Sequence, residues 1–251
     1  MNATLNDRQR QIVDLLQAEG EVRVTELRDS LSVTEMTIRR DLEKLEAAGI
    51  AKRTFGGAIV LGKDIALQER SGFMIDQKIR IGRHAAELIL PGESVFIDSG
   101  TTTLQVARHI KPEYNITVVT NALNVAAELI GRGVTTLVTG GIMVEATSSM
   151  VGPIAAQSMT DMAFDRVFLG ATGVSALHGF SNSNVNEAEI KRLAIKRAAD
   201  VNIVLDHTKF GVKELFSFAP LAGINRLITD QSPADELRHA CGEAGLEIVL
   251  A

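Results

Sequence analysis

The chain has 251 residues, 45% of them hydrophobic and 23% charged, with a formal net charge of −5. That length suits two domains, and that balance excludes the disordered, collagen-like and disulfide-scaffold classes. The net acidity argues against a protein that coats nucleic acid non-specifically, but not against a small local basic face. One cysteine, Cys241, rules out an internal disulfide and fits a reducing compartment; its place in a predicted carboxy-terminal helix reads as a small core residue. The amino terminus has no apolar signal core, and no run reaches the ~18 residues of a membrane span. A cytoplasmic protein with no membrane partner is therefore expected.

Asn6 and Gln9 have capping-box spacing, and Ile12, Leu15 and Leu16 then share one helical face that Gly20 ends. Glu21 to Arg23 reads as a short strand. Thr25 is expected to cap a second helix with Leu27 and Leu31 as its apolar stripe. Ser32-Val33 makes a tight connection, and Thr34 caps a third helix that runs to about Ala48 and closes at Gly49.

In the third helix Ile38, Leu42 and Leu45 recur at i, i+4 and i+7 and must face the other two helices. At about 100° per residue the opposite face presents Met36, Thr37, Arg40, Glu43 and Lys44, with Arg39 on the flank. A short polar residue, a thioether and arginines at the start of a helix are the chemistry of a major-groove reader. Asp41 lies beside the core face, where an arginine or a backbone amide can pair with it. Residues 50–59 form two strand-like pieces around a turn, a wing whose Lys52 and Arg53 would hold phosphates and fix register. Residues 1–60 nonetheless carry nine basic and ten acidic residues. From spacing alone, a three-helix packing module stays open beside a DNA-binding one; the grouping of Arg39, Arg40, Lys44, Lys52 and Arg53 favours DNA.

The string Arg8-x3-Ile12-x3-Leu16, followed by Thr34-x2-Thr37-Ile38-Arg39-Arg40-Asp41-Leu42, resembles the DeoR-family helix-turn-helix signature, and Gly56-Gly57-Ala58 is similar to the family as well. The resemblance implies a winged helix-turn-helix that binds operator double-stranded DNA.

Residues 61–76 lack periodicity and are broken by Gly62 and Gly72, which divides the chain into a DNA-binding domain at 1–60, a linker at 61–76 and a second domain at 77–251. Arg70 and Lys78 flank the second break. They read as solvated charges, with a signal-relay role as the alternative. Beyond the linker, helical and strand patterns alternate. Helices are predicted at 79–90, 103–110, 122–130 and 186–199, and strands at 94–97, 116–119, 134–138, 166–169 and 202–205. That alternation predicts an α/β fold with a mostly parallel sheet covered by helices, whose ligands bind beyond the carboxyl ends of the strands.

The residues after those strands are polar and glycine-rich. Asp98-Ser99-Gly100-Thr101-Thr102-Thr103 leads straight into a helix, offering backbone access, hydroxyls and free amides to a phosphate monoester. No Gly-Lys-[Ser/Thr] follows, so it is not a nucleoside-triphosphate loop; a well-capped turn with no ligand is the plainer alternative. Asn121, Gly140, Gly141, Gly170, Gly173, Asp206 and Lys209 follow the other strands. Lys209 is a counter-charge for a phosphate, and Asp206 and Asn121 are partners for hydroxyls. Glu187 reads equally as a hydroxyl partner or as a carboxylate favoured by its helix dipole.

The runs Phe96 to Thr102, Val119 to Asn121, Gly140-Gly141 and Asp206 to Gly211 resemble the DeoR sensor domain. The resemblance implies a fold related to ribose-5-phosphate isomerase and a phosphorylated sugar or polyol as effector. It also implies a homodimer or homotetramer, and a repressor of a carbohydrate operon. An active sugar-phosphate isomerase is the alternative. Enolisation needs a carboxylate base, and Gly170 to Phe180 holds neither Asp nor Glu, so binding without turnover is expected. The five histidines and one cysteine have no zinc spacing; no metal and no cofactor are expected.

Overall fold

The computed structural model describes residues 5–19, 21–48, 50–54, 56–60 and 74–251, and the chain falls into two compact units, Met1–Glu69 and Arg70–Ala251. Most of the expected linker, with Arg70, lies outside the described residues, as do Gly20 and Gly49.

In the first unit, α1 spans Asp7–Glu19, β1 Glu21–Arg23, α2 Val24–Leu31, α3 Glu35–Ala47, β2 Ala51–Arg53 and β3 Gly57–Val60. The capping box forms: Asn6 Oδ1 accepts from the Gln9 amide at 2.9 Å, and Gln9 Oε1 from the Asn6 amide at 3.1 Å. Thr25 does not cap α2. The helix begins two residues earlier, because β1 runs straight into it with extended Arg23 at its head. Ile12, Leu16, Leu27, Ile38, Leu42 and Leu45 close one core. The strands pair antiparallel in the order β1-β3-β2, the wing.

In the second unit α4 spans Ile75–Glu87, β4 Ser94–Ile97, α5 Thr101–Arg108, β5 Thr117–Thr120, α6 Leu123–Leu129, β6 Thr135–Val138, β7 Ile142–Val144 and β8 Ser149–Val151. Then come α7 at Pro153–Ser158, β9 at Phe164–Leu169, β10 at Gly173–Ser175, β11 at Gly179–Asn182 and α8 at Val185–Lys196. The chain closes with β12 at Ala198–Val204, β13 at Phe216–Ala219, β14 at Arg226–Thr229, α9 at Asp235–Glu243 and β15 at Glu247–Leu250. Seven strands form one sheet in the order β15-β14-β12-β9-β4-β5-β6, with every pairing parallel.

Strand alternation gives this sheet two apolar faces. Val95, Ile97, Val118 and Phe168 face α4, α5 and α6, while Phe96, Val119, Val167 and Leu169 face α8 and α9. Cys241 lies in the second of these cores. Two small antiparallel sheets, β7-β8 and β10-β11-β13, are additions that the sequence pattern did not announce.

Several boundaries shift, β12 among them, which starts at Ala198 rather than Asn202. α4 starts at Ile75 rather than Ile79, so Lys78 is buried within its first turns instead of solvated. α5 starts at Thr101, because the threonines form its first turn. α8 stops at Lys196, and Ala198 already pairs with Phe164 in the sheet.

The two ends of the sheet differ in chemistry. At the strand starts, Arg166 reaches Glu93 at 3.0 Å and Asp200 at 2.8 Å, and Arg226 reaches Asp200 at 2.7 Å and Glu247 at 3.2 Å. These charges satisfy one another and tie four strands to the residue before β4. The strand ends carry the residues expected to meet a ligand.

Candidate nucleic-acid interface and sensor site

In the first unit Thr34 caps α3. Its Oγ1 accepts from the Thr37 amide at 3.3 Å, and the two hydroxyls lie 2.9 Å apart. Met36 is 61% exposed, unusual for a methionine and consistent with a side chain held out for contact. Arg40 and Lys44 are exposed on the same side and have no ion-pair partner among the described residues, whereas Arg39 stands 3.8 Å from Glu35. Arg53 is tied to the helix twice: its Nη1 meets Glu43 at 2.9 Å and its amide donates to Glu46 at 2.9 Å. Lys52 lies in β2, and its side chain falls outside the described residues.

Asp41 is structural. Arg8 Nε donates to it at 2.6 Å and the buried Gln9 Nε2 at 2.8 Å, so its partner is an arginine of α1 rather than of its own helix. That bond holds the Arg8 guanidinium above its ordinary pKa. A groove of about 400 Å³ runs between these helices, with Arg8, Thr37, Arg40 and Lys44 on its walls.

In the second unit the ends of β4 and β9 meet α8. Lys191, buried in the middle of α8, donates to Asp98 Oδ2 and to the Gly170 carbonyl at 2.9 Å. Asp98 Oδ2 also accepts from the Gly170 amide at 3.2 Å. Burial pushes the Asp98 carboxyl above its ordinary range; Lys191 opposes that shift and the nearby Glu187 charge adds to it. Lys191 Nζ also stands 5.4 Å from the centre of the Phe218 ring.

One turn earlier on α8, Glu187 is 5% exposed. Its Oε1 accepts from Thr147 and from Ser149 at 2.7 Å, and its Oε2 from Asn182 Nδ2 at 3.4 Å. Those hydroxyls are the protein's own, and Glu187 also lies in the first turn of α8, where the helix dipole favours a carboxylate. Asn121 closes the far side. It ends β5, is fully buried, and its Nδ2 donates to the Met150 carbonyl at 3.4 Å, next to Ser149.

Other expected site residues have local partners. Gly100 is the residue before α5, and Thr103 returns its hydroxyl to the Gly100 carbonyl at 3.1 Å. Ser99, Thr102 and Thr103 are buried, while Gly100 and Thr101 are partly open. Gly141, at φ 117°, lies so close to β8 that a Cβ would stand 2.5 Å from the Val151 carbonyl, beside the open Gly140. Gly173 packs likewise, 2.4 Å from the Val212 carbonyl, which gives it a packing role. Asp206 bonds Thr208, its amide at 3.1 Å, and caps the short helix at His207–Lys209. His207 is held by Asp230 at 2.7 Å, and Lys209 is half-buried.

Sequence reasoning missed Lys191, Thr147, Ser149, Asn182 and Asn124. A signal for Lys191 exists: Glu187 and Lys191 fall at i and i+4 on the face that buries Ala188, Ile190 and Ala194. Charges at buried positions of a helix mark a site. The carboxylates absent from Gly170 to Phe180 also arrive here from elsewhere, as Asp98 and Glu187, both already bonded.

Residues 8–63 match the DeoR-like helix-turn-helix domain and residues 74–231 the DeoR C terminal sensor domain. The chain is 35% identical over 228 residues to the uncharacterized HTH-type transcriptional regulator YulB of Bacillus subtilis, covering 89% of this chain and 88% of that one. It is 34% identical over 246 residues to the HTH-type transcriptional regulator GlpR of Haloferax volcanii, covering 97% and 96%. It is 32% identical over 239 residues to the lactose phosphotransferase system repressor of Streptococcus mutans, covering 92% and 94%. A ribose 5-phosphate isomerase A from Methanocaldococcus jannaschii aligns with 56% of each chain at 14% identity and a TM-score of 0.42. The chain belongs to the DeoR family of DNA-binding transcriptional regulators, with an amino-terminal helix-turn-helix and a carboxy-terminal sensor domain.

Proposed function

We propose that this regulator represses a carbohydrate operon in the cytoplasm and leaves its operator when a phosphorylated sugar or polyol binds the sensor domain. The observation that carries the reading is the polar cluster at the ends of β4, β5 and β9. Asp98, paired with Lys191, leads along the chain to Gly100 and Thr101, the open start of α5; Glu187 lies one turn before Lys191 on α8, and Asn121 follows the neighbouring strand β5. The hydroxyl partners suit a sugar and the helix start suits a phosphate. The lactose-system name of the Streptococcus mutans relative points the same way.

On the DNA side, Met36, Thr37 and Arg40 read bases. Thr34, Arg39, Lys44, Lys52 and Arg53 hold the backbone. The protein acts as a dimer or tetramer, because paired half-sites require paired α3 helices. Effector and operator then oppose each other by a reciprocal coupling of ~1–3 kcal/mol.

The test is fluorescence anisotropy of the full chain on DNA from beside its own gene, with and without a panel of sugar phosphates. Release by one phosphate and not by its unphosphorylated parent is the expected result. Tight binding that no sugar phosphate alters refutes the reading.

A further inference from the structure

Among the described residues, six buried side-chain nitrogen or oxygen atoms have no hydrogen-bond partner. Four of the six belong to three asparagines: Asn121 Oδ1, Asn182 Oδ1, and both amide atoms of Asn124. A buried polar atom without a partner costs free energy, so these four ask for a reason.

Asn121 precedes α6 and Asn124 is its second residue; between them Ala122 bridges Ser149 and the Leu123 amide donates to the Ser148 carbonyl at 3.0 Å. Ser149 bonds Glu187 at 2.7 Å, and Glu187 accepts from Asn182 at 3.4 Å. The amide orientations follow from their neighbours. Asn182 must turn its NH2 to the Glu187 carboxylate, and Asn121 its NH2 to the Met150 carbonyl, so each leaves a carbonyl oxygen over.

The surplus is therefore lopsided. Asn121 Oδ1, Asn182 Oδ1 and Asn124 Oδ1 all wait for donors, and Asn124 Nδ2 waits for an acceptor. A phosphate or carboxylate is the wrong occupant: it brings acceptors, and it would face the Glu187 charge. Adjacent hydroxyls are the right one, since each donates once and accepts as well.

We propose that Asn121, Asn124 and Asn182, backed by Glu187, form the subsite that reads a run of two or three neutral hydroxyls of the effector, with its anionic end turned away toward the start of α5. This rests on the polyol or sugar-phosphate reading above and adds the orientation and the residues that set specificity. Lys191 is not the anion's partner, because Asp98 already neutralises it.

The variants are Asn124→Leu and Asn182→Leu in the full-length chain. The probes are inorganic phosphate, a panel of hexose, pentose and hexitol phosphates, and the unphosphorylated parents. Melting temperature and calorimetric affinity are read. The apo Asn124→Leu protein should melt no lower than wild type, since two unpaired buried atoms are replaced by apolar ones. Both variants should bind the recognised sugar phosphate about tenfold or more weakly and bind inorganic phosphate as wild type does.

An Asn124→Leu protein that melts lower or fails to fold shows its amide already satisfied and overturns the subsite. Sugar phosphates bound equally by wild type and both variants overturn it too, while leaving the effector reading intact. If unphosphorylated polyols bind wild type as well as their phosphates do, and both variants lose them, the subsite stands and the phosphate is dropped. If no hydroxylated probe binds wild type at all, both ideas fall.

Discussion

Lys191 Nζ, carried by α8, donates to Asp98 Oδ2 at the end of β4, and the two side chains are 2% and 1% exposed. The pair pins the sensor helix to the sheet next to Gly170, whose carbonyl takes a second proton of the same ammonium at 2.9 Å. Neither charge reaches water, so each depends on the other.

Replacing Lys191 by methionine strands a buried carboxylate and should cost ~3–5 kcal/mol of stability by urea unfolding. The double variant Lys191→Met, Asp98→Asn should recover most of that loss. Equal losses in single and double variants would show that the pair is not coupled. A pH series gives a second reading. Burial raises the folded Asp98 pKa, so the folded state holds its proton above the ordinary carboxylate range. Stability therefore falls as pH rises through that window. Without Lys191 to oppose the shift, the fall should be steeper.

Much of this was legible in the sequence, and the gaps have physical causes. Short apolar runs such as Ser94–Ile97 and caps such as Thr34 are local signals, and the structure places those elements where they read. The hairpin β7-β8 and the sheet β10-β11-β13 are built from strands of three or four residues, too short for periodicity to rise above composition. Asp98 and the Gly100 turn stood out because glycine and hydroxyl residues after a strand are a local pattern. Lys191 did not, because its meaning depends on an aspartate 93 residues away. Asn124 and Asn182 were silent for the same reason: an unpaired amide is a property of the packed neighbourhood, not of the residue type.

Arg40 on α3 and Arg53 on β2 should separate by effect. Arg40 is exposed and carries no ion pair among the described residues, so it is available to a base edge. Arg40→Ala should lose roughly 1–3 kcal/mol of operator binding and relax sequence preference. Arg53 is already paired with Glu43 at 2.9 Å, and its proposed place is on the DNA backbone. Arg53→Ala should weaken cognate and scrambled DNA alike and flatten the salt dependence by about one unit of slope. Anisotropy titrations at three salt concentrations measure both. Identical profiles for the two variants would contradict the division of roles.

Asp41 anchors α3 to α1, and its two partners differ in burial. Arg8 is 34% exposed, so the 2.6 Å ion pair is partly screened and Arg8→Met should cost only about 1 kcal/mol. Gln9 is 3% exposed, and Asp41→Ala leaves its amide without an acceptor in the core. That variant should cost more, roughly 2–3 kcal/mol. Urea unfolding of the full chain, followed by circular dichroism, gives the comparison. A larger loss in Arg8→Met than in Asp41→Ala would make the ion pair, not the buried amide, the main tie.

Cys241 sits on α9 with no exposed surface, within the apolar core that faces α8. Burial raises its thiol pKa, so at neutral pH the reactive thiolate is scarcer than in a free cysteine. Labelling of the native protein by a disulfide reagent should therefore be slow and limited by opening of α9, and become immediate in urea. Cys241→Ala should cost about 1 kcal/mol, the loss of one small buried group with little room to collapse. Cys241→Ser should cost more, because the hydroxyl brings a polar group into a region that offers only apolar neighbours. The order Ala above Ser in melting temperature identifies the cysteine as packing. Rapid native labelling, or a serine variant as stable as alanine, would instead place the thiol within reach of water.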